Sequence, residues 1–290
     1  MLKANQEPIM KIAHLILAHK NPAQIARLMN RLKHPDAYFF IHLDLKTDIQ
    51  PFQYLEKEGN VVFIINRIKV YWAGYSQVQS TINSLQEISK YGVAFDYVNL
   101  ISGQDYPLKK VEELHAYLQH NKGKAFMEYF PVYEVWKEAI PRVEKYFLVE
   151  SPLPGKYTLE ALMNKFLPKR NIPGGLIPVG RSTWFTITFE QVKYILDYIK
   201  KHPEYPRFFK YSWGADELFF QTLVYNSPYK DKMVNDNLLY TDWSKGGANP
   251  KMLTLDDKVK LMDSGKFLAR KFDEAVDKEI LDFLDKQIGA

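Results

Sequence analysis

The chain contains no cysteine among its 290 residues, which excludes disulfide bonds and thiolate-ligated metal sites. It has no apolar run long enough to cross a bilayer, and residues 1–9 lack the apolar core of a signal peptide. We expect residues 1–9 to be a disordered extension, since Met10 directly precedes the first predicted strand. No glycine-rich dinucleotide fingerprint follows that strand, and no phosphate loop with Gly-Lys-Ser or Gly-Lys-Thr occurs. These absences argue against a dehydrogenase and a P-loop kinase.

The composition is that of an ordinary globular protein, with 46% hydrophobic and 25% charged residues. Aromatic residues make up 14%, a high value that suggests pocket walls as well as a core. The net charge of +5 favours an anionic ligand or an anionic membrane surface but is too weak to indicate nucleic acid. We therefore expect a cytoplasmic protein. Peripheral contact with the inner face of the membrane and the oligomeric state stay open.

Strands alternate with helices over the first hundred residues. Short apolar runs predict buried strands at residues 11–18, 38–43, 61–65 and 95–101. Helices are predicted to start at Pro22 and to run from 76 to 90. This alternation indicates an α/β fold with a mainly parallel sheet covered by helices on both faces. Ligands bind outside the carboxyl ends of such strands, where His19, Asp44 and Trp72 are found.

The remainder of the chain is less regular. The predicted elements are a helix at 112–119, a strand at 125–130, a strand at 180–189 and a helix directly after it. Residues 131–179 are rich in proline and aromatics, and they form either an insertion that covers the substrate or a surface decoration. The length fits one large domain or two small ones. Since no clear linker is present, we predict a single domain over residues 10–290.

Residues 211–228, YSWGADELFFQTLVYNSP, have helical apolar spacing from Ala215 onwards. Asp216 and Glu217 then lie in the first turn, where free N–H groups and the helix dipole favour carboxylates. That placement alone fits acidic residues that only stabilise a helix start. A Trp-Gly turn before the pair and an apolar face behind it also fit a catalytic carboxylate at the mouth of a pocket.

Several histidines and tryptophans have two interpretations each. The seven histidines show no metal-ligand spacing. We interpret His14, inside an apolar strand, as a core residue, whereas His19 and His42 either contact a nucleotide or have structural roles. Trp184 either stacks on a sugar or fills the core. Trp213 lies close to Glu217 in sequence and is a candidate sugar platform.

Seven stretches, in the same order along the chain, resemble the core-2/I-branching N-acetylglucosaminyltransferase and peptide O-xylosyltransferase family. They are IAHLILAHKN, FFIHLDLKT, YWAGYSQVQSTINSL, FDYVNLISGQDYPL, GRSTWFTITFEQV, WGADELFFQTLVYNSP and FLARKFD. The resemblance spans about residues 12–273. It implies a GT-A type fold and an inverting transfer from a UDP-sugar, as in polysaccharide biosynthesis. The eukaryotic members have disulfides and a membrane anchor, so the chain resembles a soluble, bacterial relative.

The resemblance assigns roles residue by residue. Glu217 matches the general base that takes the proton of the acceptor hydroxyl. The residues that match or neighbour the nucleotide and diphosphate site are Lys271, Arg270, Lys251, Asp44, His19 and Trp72. Glu128 matches an acidic residue that binds the acceptor sugar. Trp213, Asp216 and Arg142 are further acceptor candidates that the resemblance does not assign.

The resemblance also implies that no metal is needed. Most GT-A enzymes neutralise the leaving diphosphate with a metal held by an Asp-x-Asp motif at a strand end, but here the second predicted strand ends in a single Asp44. We therefore expect no metal and no other cofactor, with Arg270 and Lys271 in the place of the metal. Without the resemblance, the same dipeptide ahead of the last amphipathic helix indicates only a solvated basic pair.

Three functions follow as hypotheses. The first is a UDP-sugar-dependent glycosyltransferase that moves N-acetylglucosamine or xylose to a glycan or glycolipid hydroxyl. The second is an inactive protein of the same fold that binds a glycan or a nucleotide sugar. The third is a hydrolase in which Glu217 activates water. The residues indicate neither the donor sugar nor the acceptor.

Overall fold

The computed structural model describes residues 10–289. The predicted disordered extension at residues 1–9 lies outside the described residues. The strands are β1 (Ile12–Ala18), β2 (Ala37–Leu43), β3 (Val61–Phe63), β4 (Tyr97–Ser102), β5 (Asp105–Pro107), β6 (Ala125–Pro131), β7 (Val179–Thr188), β8 (Met233–Asn235), β9 (Leu239–Thr241) and β10 (Leu268–Arg270). The α-helices are α1 (Pro22–Arg31), α2 (Tyr75–Lys90), α3 (Val111–His120), α4 (Ile140–Glu144), α5 (Lys156–Phe166), α6 (Phe189–Lys201), α7 (Glu204–Phe209), α8 (Phe219–Tyr225), α9 (Lys258–Asp263) and α10 (Lys278–Ile288).

Seven strands form the central sheet in the order β3-β2-β1-β4-β7-β6-β8. Strand β7 runs antiparallel to both of its neighbours, and the other pairings are parallel. Strands β1 and β4 are nearly continuous buried runs, as expected for strands covered by helices on both faces. The predicted α/β fold with a mainly parallel sheet flanked by helices is confirmed.

The parallel strands bring distant loops to one edge of the sheet. The backbone N–H of Asp44 donates to the carbonyl of Ala18 at 2.8 Å, and that of Gly103 donates to Leu17 at 3.0 Å. The segments that follow β1, β2 and β4 therefore lie side by side at their carboxyl ends, where a ligand is expected in an open α/β sheet.

A second, three-stranded sheet in the order β5-β10-β9 was not predicted. Arg270 ends β10 opposite Asp105 of β5, whereas the last helix, α10, begins only at Lys278. The prediction that Arg270 and Lys271 stand just ahead of that helix is therefore wrong. These three strands were missed because none of them was recognised as an apolar run of the kind that predicted the strands of the central sheet.

Two further local predictions need correction. Residues 131–179 are not wholly irregular, because they contain α4 and α5. The helix predicted from Ala215 is instead a 3₁₀ turn, Ala215–Glu217, followed by α8 from Phe219. Leu218, at φ −120°, separates the turn from the helix. None of the helices in residues 10–289 is long and apolar enough to cross a membrane.

Candidate active site

A cleft of about 710 Å³ lies at the carboxyl edge of the parallel strands. Most of the site residues predicted from the sequence lie together in this cleft, although they come from distant parts of the chain. The predicted site residues that line it are His19, Asp44, Trp72, Glu128, Arg142, Trp213, Asp216, Glu217, Arg270 and Lys271. Lys251 does not line it.

Glu217 is placed in the cleft by the packing of its backbone. It ends the 3₁₀ turn that follows Gly214, and its N–H donates to the Gly214 carbonyl at 3.2 Å. The turn packs directly on β7 at Gly180, where a Cβ atom would overlap the Glu217 carbonyl. A glycine at position 180 is therefore required for this close approach.

Arg142 of α4 holds the Glu217 carboxylate. Its Nη1 donates to Glu217 Oε2 in an ion pair. The same guanidinium lies 4.4 Å from the ring centroid of Trp213 and 4.8 Å from that of Trp136, within cation–π range of both. Trp213 in turn meets Trp72 edge to face at 5.4 Å. Arg142, predicted to bind the acceptor, therefore has a further role as the partner of the predicted base.

The pKa of Glu217 is raised to about 7. Burial is the main cause, since it disfavours the charged form, and the neighbouring Asp216 carboxylate adds to it. The Arg142 guanidinium opposes the shift. Burial also raises the pKa of Asp216, while the Thr183 hydroxyl, which donates to Asp216 Oδ2 at 2.5 Å, opposes that shift. A carboxyl group with a pKa near 7 is suited to accept a proton at neutral pH.

The turns around the two tryptophans are linked through their backbones. The N–H of Gly214 donates to the Ala73 carbonyl at 2.8 Å, so the turn before Glu217 is tied to the turn after Trp72. Glu150, in the predicted insertion, accepts a hydrogen bond from the Ser76 N–H at 2.5 Å at the start of α2. The insertion is thus attached to the wall of the cleft.

A buried arginine forms the other side of the site. The Arg270 side chain is only 14% exposed, and its guanidinium lies 4.2 Å from the ring centroid of Trp184. Its Nε is 3.5 Å from Oδ1 of Asp105, a fully buried carboxylate that accepts hydrogen bonds from the N–H and hydroxyl of Ser102. The alternative of a solvated pair is therefore wrong for Arg270.

Lys271 and its neighbours make this part of the cleft electropositive. Burial lowers the pKa of Lys271, and the nearby cations Arg270 and Lys20 lower it further. Burial, with Lys20 and Lys271 beside it, also lowers the pKa of His19. Like charges placed together at low exposure favour an anionic ligand that neutralises them.

Lys251, the remaining predicted contact to the diphosphate, is used elsewhere. Its ammonium pairs with Asp257 at 2.5 Å, and its backbone N–H donates to Asp242 at 2.8 Å. The Asp257 carboxylate is buried, so the ammonium of Lys251 is already neutralised by a protein carboxylate.

Three other predicted residues have identifiable surroundings. Asp44 accepts a hydrogen bond from the Lys46 N–H at 2.9 Å. Burial raises the pKa of Glu128, and the nearby cations Arg181 and Lys266 oppose this rise. His14, interpreted as a core residue, is fully buried and shares a hydrogen bond with Asn99 at 3.1 Å.

Sequence reasoning missed several residues that shape the cleft. Trp136 supports Arg142, and Asp105 supports Arg270, although neither role has a local pattern. Gly180 and Arg181 belong to the stretch GRSTWF, which was noted for its strand character and its family resemblance but not for site residues. Trp184, for which two roles stayed open, stacks on Arg270 at the cleft wall. Within residues 10–289, no group of three or more histidine, aspartate and glutamate side chains is arranged to hold a metal ion.

Comparison with known proteins places this arrangement in a family. Xylosyltransferase 2 of Rattus norvegicus is 26% identical over 96% of this chain, and that of Homo sapiens is 27% identical over 96%. A xylosyltransferase of Ciona intestinalis is 24% identical over 95% of the chain. The chain covers 34% of each of these relatives, so it spans about a third of their length.

Among solved structures, a 4-diphosphocytidyl-2C-methyl-D-erythritolsynthase from Anaerococcus prevotii DSM 20548 has a TM-score of 0.38 at 10% identity, covering 88% of this chain and 96% of that one. A TM-score this low marks only a distant likeness.

The sequence model of the family described as "Core-2/I-Branching enzyme" matches residues 12–266. The chain therefore belongs to the Core-2/I-Branching enzyme family.

Proposed function

We propose that the protein is an inverting glycosyltransferase that moves a sugar from a UDP-sugar to a glycan hydroxyl. The observation that carries the proposal is the pairing of groups in one cleft. Glu217, with its pKa raised to about 7, lines the same cleft as the cations Arg270 and Lys271. The family and the relatives named xylosyltransferases support it.

The proposed reaction is a single displacement at the anomeric carbon. The acceptor oxygen forms its bond to that carbon as the bond to the diphosphate oxygen breaks on the opposite face. Glu217 takes the hydroxyl proton, a role that contributes roughly 10²–10⁴-fold to the rate. Arg142 opposes the upward shift of the Glu217 pKa and orients the carboxylate, because its guanidinium is fixed by Trp136 and Trp213.

In the proposed site, Arg270 and Lys271 neutralise the charge that develops on the leaving UDP. A fixed guanidinium and ammonium in a poorly hydrated site stabilise such a charge without reorganising. Arg270 is held in place by Asp105 and Trp184. We propose that these two cations take the place of a divalent metal, so that transfer continues after treatment with a chelator.

The names of the relatives favour xylose as the donor sugar, with N-acetylglucosamine as the other donor in the family resemblance. We propose a glycan or glycolipid as the acceptor. A thermal-shift series with a panel of UDP-sugars identifies the donor, since a ligand that binds only the folded state raises the melting temperature.

The test of the proposal compares Glu217→Gln with Glu58→Gln, which changes an exposed carboxylate. Transfer is followed by UDP release and by product analysis, with EDTA and with added manganese. We expect Glu217→Gln to lose at least about 10²-fold in turnover and to keep its affinity for UDP, whereas Glu58→Gln matches wild type.

Three results would contradict the proposal. UDP binding without turnover of any donor indicates the inactive binding protein. UDP release that does not depend on an acceptor indicates the hydrolase. Transfer that strictly requires manganese shows that Arg270 and Lys271 do not replace a metal.

A further inference from the structure

Helix α5 is oriented with its polar side toward the protein. The Glu160 carboxylate accepts a hydrogen bond from the Leu148 N–H at 2.8 Å. The Asn164 side chain accepts from the N–H of Tyr146 and donates to its carbonyl, both at 2.8 Å. These bonds satisfy the backbone of the preceding segment. The helix is therefore attached through polar contacts, opposite to the usual arrangement of a surface helix.

The side of α5 that faces away from the protein is apolar, and no residue of the helix is buried. The large apolar side chains of the helix and its flanks, between 43% and 74% exposed, are Leu153, Tyr157, Leu159, Leu162, Phe166 and Leu167. Leu159, Leu162 and Phe166 share one side because they follow each other at intervals of three and four residues. A contiguous exposed apolar surface of this kind marks an interaction site.

The charges around this surface are positive. Lys145 and Lys165 are exposed, and the Lys169 side chain is 78% exposed although it pairs with Glu144. Glu160 is the single carboxylate in residues 151–170, and it points inward. Exposed lysines beside an apolar helix face complement an anionic lipid surface, where each nearby cation adds to the attraction.

We propose that α5, with the flanking Leu153 and Leu167, docks on an anionic lipid surface. The apolar side chains enter the boundary between headgroups and acyl chains, while Lys165 and the neighbouring lysines remain at the level of the headgroups. The inference stands on the orientation of α5 and its charges, and it does not depend on the proposed reaction.

A second copy of the chain suits this surface less well. A symmetric contact through α5 places the same residues opposite each other, so Lys165 of each copy comes near the other. The helix has 11 residues, which is about 16 Å in length. That is short for a stable dimer, in which each partner buries about 800 Å².

Docking through α5 would also place the cleft close to the lipid. The segment that carries α5 supplies Trp136 and Arg142 to the cleft, and Glu150 ties it to the start of α2. The surface is thus attached to the wall of the cleft on which the predicted acceptor residue Arg142 lies.

The test is sedimentation of the full chain with vesicles, without any sugar nucleotide. Vesicles of phosphatidylcholine with phosphatidylglycerol are compared with vesicles of phosphatidylcholine alone. The variant Leu162→Ser/Phe166→Ser removes two exposed apolar side chains of α5. The control, Val259→Ser/Met262→Ser, removes two exposed apolar side chains, three residues apart, on α9.

We expect wild type and the α9 control to bind the anionic vesicles, and the α5 variant to bind at least about tenfold more weakly. Lys165→Glu should weaken binding as well, and salt should weaken it further. Equal melting temperatures establish that each variant is folded. Absence of vesicle binding by wild type, or equal binding by the α5 variant, overturns the proposal. A dimer in light scattering that the α5 variant abolishes assigns the surface to a second copy and overturns it too.

Discussion

The surroundings of Glu217 include residues that are distant from it in the chain. Its partner Arg142 is 75 residues away in the chain, and Arg142 contacts Trp136 of its own segment and Trp213 of the segment that carries Glu217. Arg270 shows the same limit, since Asp105 and Trp184 fix it from other strands. Sequence patterns report local spacing, whereas charge pairing across the sheet depends on the tertiary fold.

The raised pKa of Glu217 predicts the pH dependence of transfer. A base must be ionised, so kcat/KM should rise with pH through about 7 and then level off. Arg142 lowers the pKa of Glu217, so Arg142→Met should move this rise to higher pH, in addition to lowering the plateau. The measurement is a pH profile of kcat/KM, with Arg207→Met, at an exposed arginine of α7, as the control. A rise that stays at the same pH in Arg142→Met contradicts the role of Arg142.

The two lysines predicted to contact the diphosphate should differ in their effect on UDP affinity. Lys271 lines the cleft, whereas Lys251 pairs with Asp257. Charge-assisted hydrogen bonds are worth about 1.5–3 kcal/mol. Lys271→Ala should therefore weaken UDP binding roughly ten- to a hundredfold, and Lys251→Ala should leave it unchanged. Calorimetric titration of UDP into both variants decides this. Equal losses, or no loss in either variant, contradict the assignment.

At the scale of elements, the sequence predicted those strands and helices whose own residues show a regular apolar pattern. Strands β1, β2 and β4 lie within two residues of their predicted bounds, because each is a mainly apolar run with one or two polar residues. The small sheet of β5, β10 and β9 has three residues in each strand and leaves no such pattern. Helix α5 was not predicted although Leu159, Leu162 and Phe166 have helical spacing, because the prolines on both sides of it make the segment resemble irregular chain.

Because β7 and the turn of Glu217 are in close contact, we predict that one added methyl group at Gly180 lowers both stability and turnover. Gly180→Ala would force a Cβ atom into the Glu217 carbonyl. We expect the turn to shift, with a loss of stability of about 1–3 kcal/mol and a loss of turnover of at least about tenfold, since small misplacements of reacting groups are costly.

The control is Gly59→Ala, at a glycine with φ +76° and open space around its Cβ position. It should cost about 1–2 kcal/mol of stability through backbone strain and leave turnover unchanged. Melting temperatures and kcat are measured for both. Full activity in Gly180→Ala would show that the close approach does not position Glu217.

At the scale of the whole molecule, buried neutral histidines limit stability in acid. Burial lowers the pKa of His14 to about 3 and those of His42 and His115 to about 4, from the ordinary value of 6.5. The sequence placed His14 in a core strand. It did not reveal that His115 of α3 stacks on His34 at 3.9 Å, since the two residues are distant in the chain.

The sign of the pH dependence follows from these shifts. Below pH 6.5 the unfolded chain binds protons at three histidines that the folded protein keeps neutral, so the free energy of unfolding falls as the pH is lowered. Glu217 acts in the opposite direction between pH 7 and its ordinary value of 4.5, because the folded state binds its proton more tightly. Each group contributes at most about 1.4 kcal/mol per pH unit. Three histidines therefore outweigh Glu217 between pH 6.5 and 5. The raised pKa values of Asp216 and Glu128 act in the same direction as that of Glu217, so the contribution of a histidine is best measured one residue at a time.

His115→Leu isolates one of these contributions. The buried Nε2 of His115 has no hydrogen-bond partner among the described residues, so an apolar replacement removes a titrating group without breaking a hydrogen bond at that atom. The decrease in unfolding free energy between pH 7 and pH 5, measured by urea denaturation, should be smaller by about 2 kcal/mol than in wild type. His120→Leu, at an exposed histidine of the same helix, is the control. If both variants lose as much stability as wild type when the pH is lowered from 7 to 5, the folded protein protonates His115 as readily as the unfolded chain does. The acid instability must then come from other groups.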